Sequence, residues 1–403
     1  MRTVTVVGAS LSGLYAAREL RAQGFDGRLV VVGDEPHPPY DRPPLSKEFL
    51  TGRADEEDLA LGDAEETAEL DADWLLGVRA RGLDARGRTV LLDDGRTVST
   101  DGVVVATGAS ARHLRGGGLA GVHTLRTLDD ARALRARLTR GPCRVVVVGG
   151  GFVGAETASS CAALGHDVTV VEAAAMPLVP HLGAELAAVC ASLHGRAGVG
   201  LVTGASVAAL RGTAAVTGVD LTDGRALPAD VVVVGIGATP NTAWLAGSPL
   251  LLNDGVLCDD GCVTALPQVV AVGDVARVGG TRAEHWTSAT QQPRAAVRNL
   301  LAGRTLESAR SVPYFWSDQY GSRLQFAGRR RDGDTVRVAE GGIAGGAPDE
   351  GGFLARYERD GRTTAVLAVD RPRAFMRARR ELAAEEAGTP VTVGGAGRAR
   401  GEA

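Results

Sequence analysis

The sequence predicts an α/β fold made of two strand–glycine loop–helix modules and a smaller α+β segment, and three observations predict it. At residues 4–15 (V-T-V-V-G-A-S-L-S-G-L-Y) a β-branched run breaks at a glycine and passes into a helical pattern. The same order returns at residues 144–156, and each copy closes further on with an apolar strand and a glycine turn, at residues 103–109 and 231–238. Beyond residue 312 the composition changes, with aromatics clustering and short strand patterns alternating with glycine turns.

The first module opens with a short buried strand at 4–7 that stops at Gly8, and its helix starts after Gly13. Strand, glycine turn and helix in that order make a dinucleotide cradle, because the free backbone N–H groups at the positive end of the helix receive a pyrophosphate. Ser10 stands where the strict fingerprint has its second glycine. A second strand at 29–32 ends in Gly33-Asp34-Glu35, about where an acid meets the ribose hydroxyls. Residues 36–47 (P-H-P-P-Y-D-R-P-P-L-S-K) are proline-dense, which predicts a stiff loop, not a helix, lying over whatever the cradle holds. Residues 55–69 are acidic and helix-prone and read as a solvated face. Strands are expected at 74–78, 89–92 and 103–106, the last running into Thr107-Gly108-Ala109, a tight turn that closes the first nucleotide site. Residues 125–128 then lead into an Arg-rich amphipathic helix at 129–138.

The second module matches the fingerprint in full. A strand at 144–148 is followed by Gly149-Gly150-Gly151-Phe152-Val153-Gly154 and a helix with Glu156 in its first turn. The next strand, 168–171, ends at Glu172, 23 residues past Gly149. Glu172 can accept hydrogen bonds from both ribose hydroxyls but opposes a 2′-phosphate with like charge, at a cost on the order of several kcal/mol. The following Ala173-Ala174-Ala175 supplies no Arg to offset it, so the second site is expected to prefer NADH to NADPH. The module closes at 231–238 with Gly235 and Gly237 in its turn, and the duplication argues for two related nucleotide-binding modules. An apolar strand in the stretch 269–276 then delivers Asp274 to the start of a following segment, as if to a ligand. Residues 284–287 (E-H-W-T) and a helix at 288–301 follow. The third part closes with a helix at about 373–387, and residues from 388 onward read as disordered.

A chain of 403 residues with 44% hydrophobic content supports two or three packed domains. A formal charge of −4 gives no reason to expect nucleic acid or membrane as partner, and no apolar run approaches the roughly 18 residues a membrane span needs. The first strand begins at Thr3, which leaves no room for a signal peptide, so the cytoplasm is the expected location. Five scattered cysteines (143, 161, 190, 258, 262) imply no disulfide framework. The C-x-x-x-C pair at 258 and 262 lacks a second cluster to complete a metal site. One compositional fact is sharper. Of 44 basic residues 43 are Arg, and the single Lys is Lys47. A chain this biased keeps a lysine where a compact, rotatable ammonium is needed.

The two glycine loops, together with P-Y-D-R-P-P-L-S-K, A-T-G-A, G-I-G-A-T-P-N, A-V-G-D-V-A, E-H-W-T and V-P-Y-F-W-S-D-Q-Y, make a specific resemblance. Over about residues 3–385 the chain resembles the FAD-dependent, NADH-using ferredoxin reductases of bacterial cytochrome P450 and Rieske oxygenase systems, the putidaredoxin and rhodocoxin reductase type. The resemblance implies two Rossmann-like domains. The FAD domain would be discontinuous (1–112 and 242–308) and interrupted by the NAD domain (113–241), with a reductase domain at 309–390 and a tail at 391–403. It further implies that Gly8, Ser12 and Gly13 hold the FAD pyrophosphate, with Asp34 or Glu35 on the adenosine ribose. Arg42, Lys47 and Arg126 would contact the flavin or its phosphates, and Asp274 the ribityl chain. The backbone around Ala80 and Trp286-Thr287, with the Thr107-Gly108 turn, would complete that site. Gly149, Gly151, Phe152, Val153, Gly154, Glu172, Gly235 and Gly237 would form the NADH site, with Glu156 by the nicotinamide and Trp316 walling the flavin region.

The implied chemistry is hydride transfer from NADH to FAD and single-electron delivery to an iron–sulfur ferredoxin as transient partner. Lys47 and Glu156, each expected beside the ring from opposite sides, are predicted to pair across the domain boundary. Disulfide reductases and cysteine-dependent NADH oxidases place a redox cysteine in the segment after the ribose-binding strand, and here the first cysteine in the chain is Cys143. Other acceptors (rubredoxin, quinone, monodehydroascorbate, a nitrite reductase component) and an apoptosis-inducing-factor-like flavoprotein remain alternatives. From residue 309 on, 16 Arg stand against 13 acids, a balance of +3. That excess reads either as a docking face for an acidic carrier, through Arg323, Arg329, Arg330, Arg331, Arg377, Arg379 and Arg380, or as a solvated surface.

Overall fold

The valine runs that open each module become central strands of parallel sheets, buried on both faces. In the computed structural model, which describes residues 1–387, the first sheet has the order Val269–Ala271, Gly102–Val105, Thr3–Val7, Arg28–Gly33, Ala72–Leu76, all parallel. The period of two sends Val4, Val6, Val31 and Val104 to one face, against Leu14 and Leu20 of helix Leu11–Ala22 and Val297 and Leu300 of helix Trp286–Ala302. Val30, Val32, Val103 and Val105 go to the other face, against Leu83, Val90 and Leu92 of a small antiparallel sheet.

The second sheet repeats this plan, with the order Gly200–Thr203, Asp167–Glu172, Arg144–Val148, Val231–Val234, Val122–Thr124. Val145, Val147, Val231 and Val233 meet Leu134, Leu138, Ala158 and Cys161 on the helical side. Val146, Val148, Val232 and Val234 meet a three-stranded antiparallel layer within residues 207–228. The two sheets differ in their fifth strand, which comes from later in the chain in the first and from earlier in the second. The chain leaves the first module through Ala109–Ala111 and returns through Ala238–Pro240, and these two stretches pair antiparallel.

The third part is an antiparallel sheet in the order Tyr314–Gln319, Ser322–Gly328, Arg362–Val369, Ala347–Arg359, Thr335–Ala344. Helix Pro372–Ala387 covers one face through Phe375, Ala378 and Leu382. The other face packs Phe326, Phe353, Tyr357 and Leu367 against Leu182, Leu186, Val189 and Leu193 of helix Val179–Arg196.

Four expectations need adjustment. The proline loop contains one short 3-10 turn, Pro43–Ser46, since proline's fixed φ and missing N–H suit a first turn. The acidic stretch is helical only at Ala64–Glu69, and its Leu59 is buried against Tyr40, Leu45 and Phe49. The strand toward Asp274 ends at Ala271 and gives way to a 3-10 turn, Gly273–Val275. The helix expected from 288 begins at Trp286. Residues 388–403, where disorder was expected, lie outside the described residues.

Candidate functional site

The glycine loops have matching geometry. Gly8 has φ +119° and Gly149 φ +104°, conformations that L side chains rarely adopt. A Cβ on Gly13 would lie 1.7 Å from the Gly8 carbonyl oxygen, and one on Gly154 would lie 2.1 Å from that of Gly149. Helix and strand approach this closely only because neither residue has a side chain. The departure at Ser10 costs little: it is the N-cap at φ −106°, extended backbone open to any residue, as is the equivalent Gly151 at φ −70°.

Both cradles fit the phosphates of a dinucleotide, as their helix caps show. Helices Leu11–Ala22 and Phe152–Ala163 start with no side-chain cap and no acid in the first turn, and so does Trp286–Ala302; Glu156, expected in the first turn, falls just beyond it because the helix already begins at Phe152. By contrast, Ala64–Glu69 and Leu128–Leu138 are capped by Asp63 and Thr127 and carry acids in their first turns. Two peripheral helix ends are thus capped while N–H groups at the glycine loops are left for an anion, although Val179–Arg196 also begins without a side-chain cap.

Around the first cradle Arg42 is the organiser. Its Nε donates to Ser10 Oγ (3.2 Å), its Nη1 to the Arg126 carbonyl (2.7 Å) and its Nη2 to Glu35 Oε1 (2.6 Å). Tyr40 donates to the other Glu35 oxygen at 2.5 Å. Of the two acids offered for the ribose, Glu35 is held in this network while Asp34 faces solvent with Arg79. Arg126 pairs with Asp274 at 2.7 Å, and Gly273 beside it sits so close to buried Ser12 that a Cβ would lie 2.2 Å from the hydroxyl. Thr107 and Gly108 meet Asn241: the Thr107 hydroxyl donates to the Asn241 carbonyl (2.8 Å), the Asn241 side-chain amide to the Thr107 carbonyl (2.9 Å), and the Asn241 N–H to the Gly108 carbonyl (2.9 Å). Ala80 is buried at the start of strand Ala80–Asp84.

At the second cradle Glu172 accepts from the N–H groups of Gly150 and Ala174, both at 2.8 Å, so backbone donors orient its carboxylate. Gly235 lies against Gly154, and Gly237 has φ +96° with open space where a Cβ would go. Val153 is exposed, but the Phe152 ring turns toward the third sheet and packs on Phe315 (4.6 Å between centroids) and His181 (5.5 Å). Only its backbone therefore remains at the loop.

The predicted pair is present. Lys47 Nζ lies 2.8 Å from Glu156 Oε2, with both side chains under 10% exposed, and also donates to the Pro43 carbonyl at 3.0 Å. The same carboxylate accepts from Ser46 Oγ and Ser317 Oγ, each at 2.7 Å. A buried charge with a cation and two hydroxyl donors is fully matched. The proline loop therefore spans the modules, touching the first cradle through Arg42 and Ser10 and the second through Lys47 and Glu156. Trp316 packs on Trp286, edge to face at 6.1 Å, and the Trp286 indole donates to Asp41 (2.8 Å). Burial raises the Asp41 carboxyl above its ordinary range, against the pull of that indole and of Lys47. Thr287 donates its hydroxyl to the Tyr314 carbonyl.

Sequence reasoning missed Ser46, Ser317, Asp41, Asn241 and Gln292, whose Oε1 accepts from the Gly273 N–H. Of the seven arginines named for the third part, Arg323, Arg330 and Arg377 pair with Asp318, Asp332 and Glu340, and Arg379 lies over the Tyr314 ring. All five cysteines are free, and burial pushes the thiols of Cys161, Cys190 and Cys258 up to about 12. Among the described residues no group of His, Cys, Asp and Glu could hold a metal ion.

The family model described as pyridine nucleotide-disulphide oxidoreductase matches residues 2–293, and one described as reductase C-terminal matches residues 314–395. The chain is 38% identical over 396 residues to the ferredoxin reductase component of chlorobenzene dioxygenase from Cupriavidus sp. (strain PS12), covering 97% of this chain and 94% of that one. It is 36% identical over 400 residues to rhodocoxin reductase of Rhodococcus erythropolis, covering 96% and 91%. Among solved structures, the covalent putidaredoxin reductase–putidaredoxin complex superposes with a TM-score of 0.88 at 32% identity, covering 95% of this chain and 93% of that one.

Proposed function

The chain belongs to the pyridine nucleotide-disulphide oxidoreductase family, and from that premise we propose that it is an NADH-dependent, FAD-containing ferredoxin reductase. It takes a hydride from NADH onto FAD and passes single electrons to an iron–sulfur ferredoxin that feeds a cytochrome P450 or Rieske oxygenase. The observation that carries this reading is the proline loop bridging two uncapped glycine-loop cradles, with the single lysine of the chain at its far end. The relatives named as ferredoxin reductase components, and the structure solved with putidaredoxin, support the acceptor. Residues 1–112 with 242–308 serve as the FAD unit, 113–241 as the NAD unit and 309–390 as the reductase C-terminal unit. The cytoplasm is the location in this reading, since NADH is held there; among the described residues no helix is long and apolar enough to cross a membrane.

Bound FAD supplies a ring that accepts a hydride from NADH and gives electrons up singly to a protein acceptor. The chain's own residues bind, orient and charge-match. Ser12 and Gly13, at the uncapped helix end, would hold the FAD pyrophosphate on free N–H groups, with Gly8 (whose own N–H goes to the Val32 carbonyl) giving the close approach; Arg42 and Arg126 would lie beside it, and Asp274 would receive the ribityl hydroxyls. Gly151 and Gly154 would hold NADH likewise, with Gly149, whose N–H goes to the Val171 carbonyl, giving the close approach and Glu172 on its ribose. Lys47, fixed by Glu156 and the Pro43 carbonyl, would place a positive charge where reduction builds negative charge. Trp286 and Trp316 exclude water from one wall. Although the family takes its name from disulphide reduction, residues 36–47 contain no cysteine, so electrons leave without a thiol relay.

Adding an iron–sulfur ferredoxin to the yellow protein and NADH is expected to raise cytochrome c reduction at least about tenfold over the protein alone. No stimulation by any ferredoxin from an oxygenase system would remove the acceptor from this reading. NADH should be preferred to NADPH in kcat/KM by about a hundredfold, because Glu172 opposes the 2′-phosphate at several kcal/mol. A Glu172→Gln variant should narrow that ratio. Equal use of both nucleotides by the parent protein would contradict it.

A further inference from the structure

We propose that Ser317, backed by Gln319, is a positioning residue for hydride transfer, fixing the Glu156 carboxylate and through it the Lys47 ammonium. The proposal rests on the reductase reading above and adds to it a hydroxyl delivered by the third sheet. Ser317 is fully buried on strand Tyr314–Gln319, and its Oγ lies 2.7 Å from Glu156 Oε1. A serine has one proton to donate. Gln319, itself 2% exposed, donates from Nε2 to Ser317 Oγ at 3.1 Å, which occupies a lone pair of the hydroxyl and leaves its proton for Glu156. The opposite orientation of the Gln319 amide would face oxygen to oxygen at that contact, so the network fixes it.

The second oxygen, Oε2, is held separately, by Ser46 Oγ and Lys47 Nζ. Ser160, one turn on from Glu156 along the same helix face, donates to the Ser46 carbonyl at 2.6 Å, so this helix grips the proline loop twice. Charge balance alone requires only Lys47. The two hydroxyls do something else: they give each carboxylate oxygen its own directional donor, which leaves the group one orientation. Lys47 follows, because Glu156 and the Pro43 carbonyl are its partners. Alternation along the strand also puts Trp316 and Ser317 on opposite faces, one packing on Trp286 and the other reaching Glu156.

The test compares Ser317→Ala, Ser317→Thr and Ser46→Ala in the FAD-loaded full chain with the parent. Expected for Ser317→Ala is an about tenfold lower limiting rate of single-turnover reduction by NADH, with NAD+ affinity by calorimetry unchanged within about twofold and full FAD content. Ser317→Thr, which keeps the hydroxyl, should restore the rate. Ser46→Ala, acting on the other oxygen, should lower the limiting rate in the same way and guards against misfolding of the Ser317 variants. An unchanged rate in Ser317→Ala and Ser46→Ala, or a loss confined to FAD content and NAD+ affinity, would overturn the proposal. A parent protein that NADH does not reduce would instead overturn the reductase reading.

Discussion

A Lys47→Met variant is expected to retain FAD yet to be reduced by NADH some hundredfold to a thousandfold more slowly, and to unfold at a clearly lower urea concentration. The kinetic loss follows from removing a fixed positive charge in a site sheltered from water, where such a group is worth about 3–4 kcal/mol. The stability loss has another origin. Glu156 is 5% exposed, and without Lys47 its charge keeps only the hydroxyls of Ser46 and Ser317. Breaking a buried pair on one side costs about 3–5 kcal/mol, mostly from the charge left behind. Adding Glu156→Gln to the Met variant should therefore recover much of the urea midpoint while leaving reduction slow. The two consequences of one substitution thus come apart, and rapid-mixing reduction with urea titration of the four proteins of the cycle reads them. Single-turnover reduction at the parent rate in Lys47→Met would remove the lysine from the mechanism. A double variant no more stable than Lys47→Met would show that the carboxylate is not the stranded group.

How much of this was legible depended on whether chemistry restricted the residue type. Gly8, Gly13, Gly149 and Gly154 were readable because backbone comes within 1.7 to 2.3 Å of where their Cβ atoms would be, and only glycine allows that. Lys47 stood out against an otherwise all-Arg basic set, and its pairing with Glu156 followed from placing each on a separate module. Serine and glutamine carry no such restriction, so Ser46, Ser317 and Gln292 were invisible although each sits within hydrogen-bond reach of a key atom. The choice between Asp34 and Glu35 needed Arg42 and Tyr40 in space, seven and five residues along a loop of unknown path. Phe152 shows the opposite failure: its motif position was right, but the apolar third sheet drew its ring away from the loop. Helix Val179–Arg196, which seats that sheet, went unread because Gly183 at φ +74° interrupts its turn pattern near the start.

The duplication itself makes the second large prediction, because equivalent substitutions in the two loops should have different outcomes. Gly13→Ala brings a Cβ 1.7 Å from the Gly8 carbonyl oxygen, and Gly154→Ala brings one 2.1 Å from that of Gly149, so each helix must shift off its own strand. Overpacking of this kind costs about 1–3 kcal/mol, felt at the N–H groups that receive the phosphates. On the proposed reading the first module holds a resident prosthetic group, so Gly13→Ala should emerge pale, with FAD well below one per chain. In the second the ligand diffuses in and out, so Gly154→Ala should stay yellow. Its KM for NADH should rise about tenfold to a hundredfold, and its kcat at saturation should change far less. Ser10→Gly serves as the control: Ser10 lies at φ −106° and needs no glycine, so FAD content should match the parent. Absorbance per chain and steady-state kinetics separate these outcomes. If Gly154→Ala loses FAD as readily as Gly13→Ala, the two pockets are not independent. The division of labour between the modules then fails, since one shared ligand would be answering to both loops.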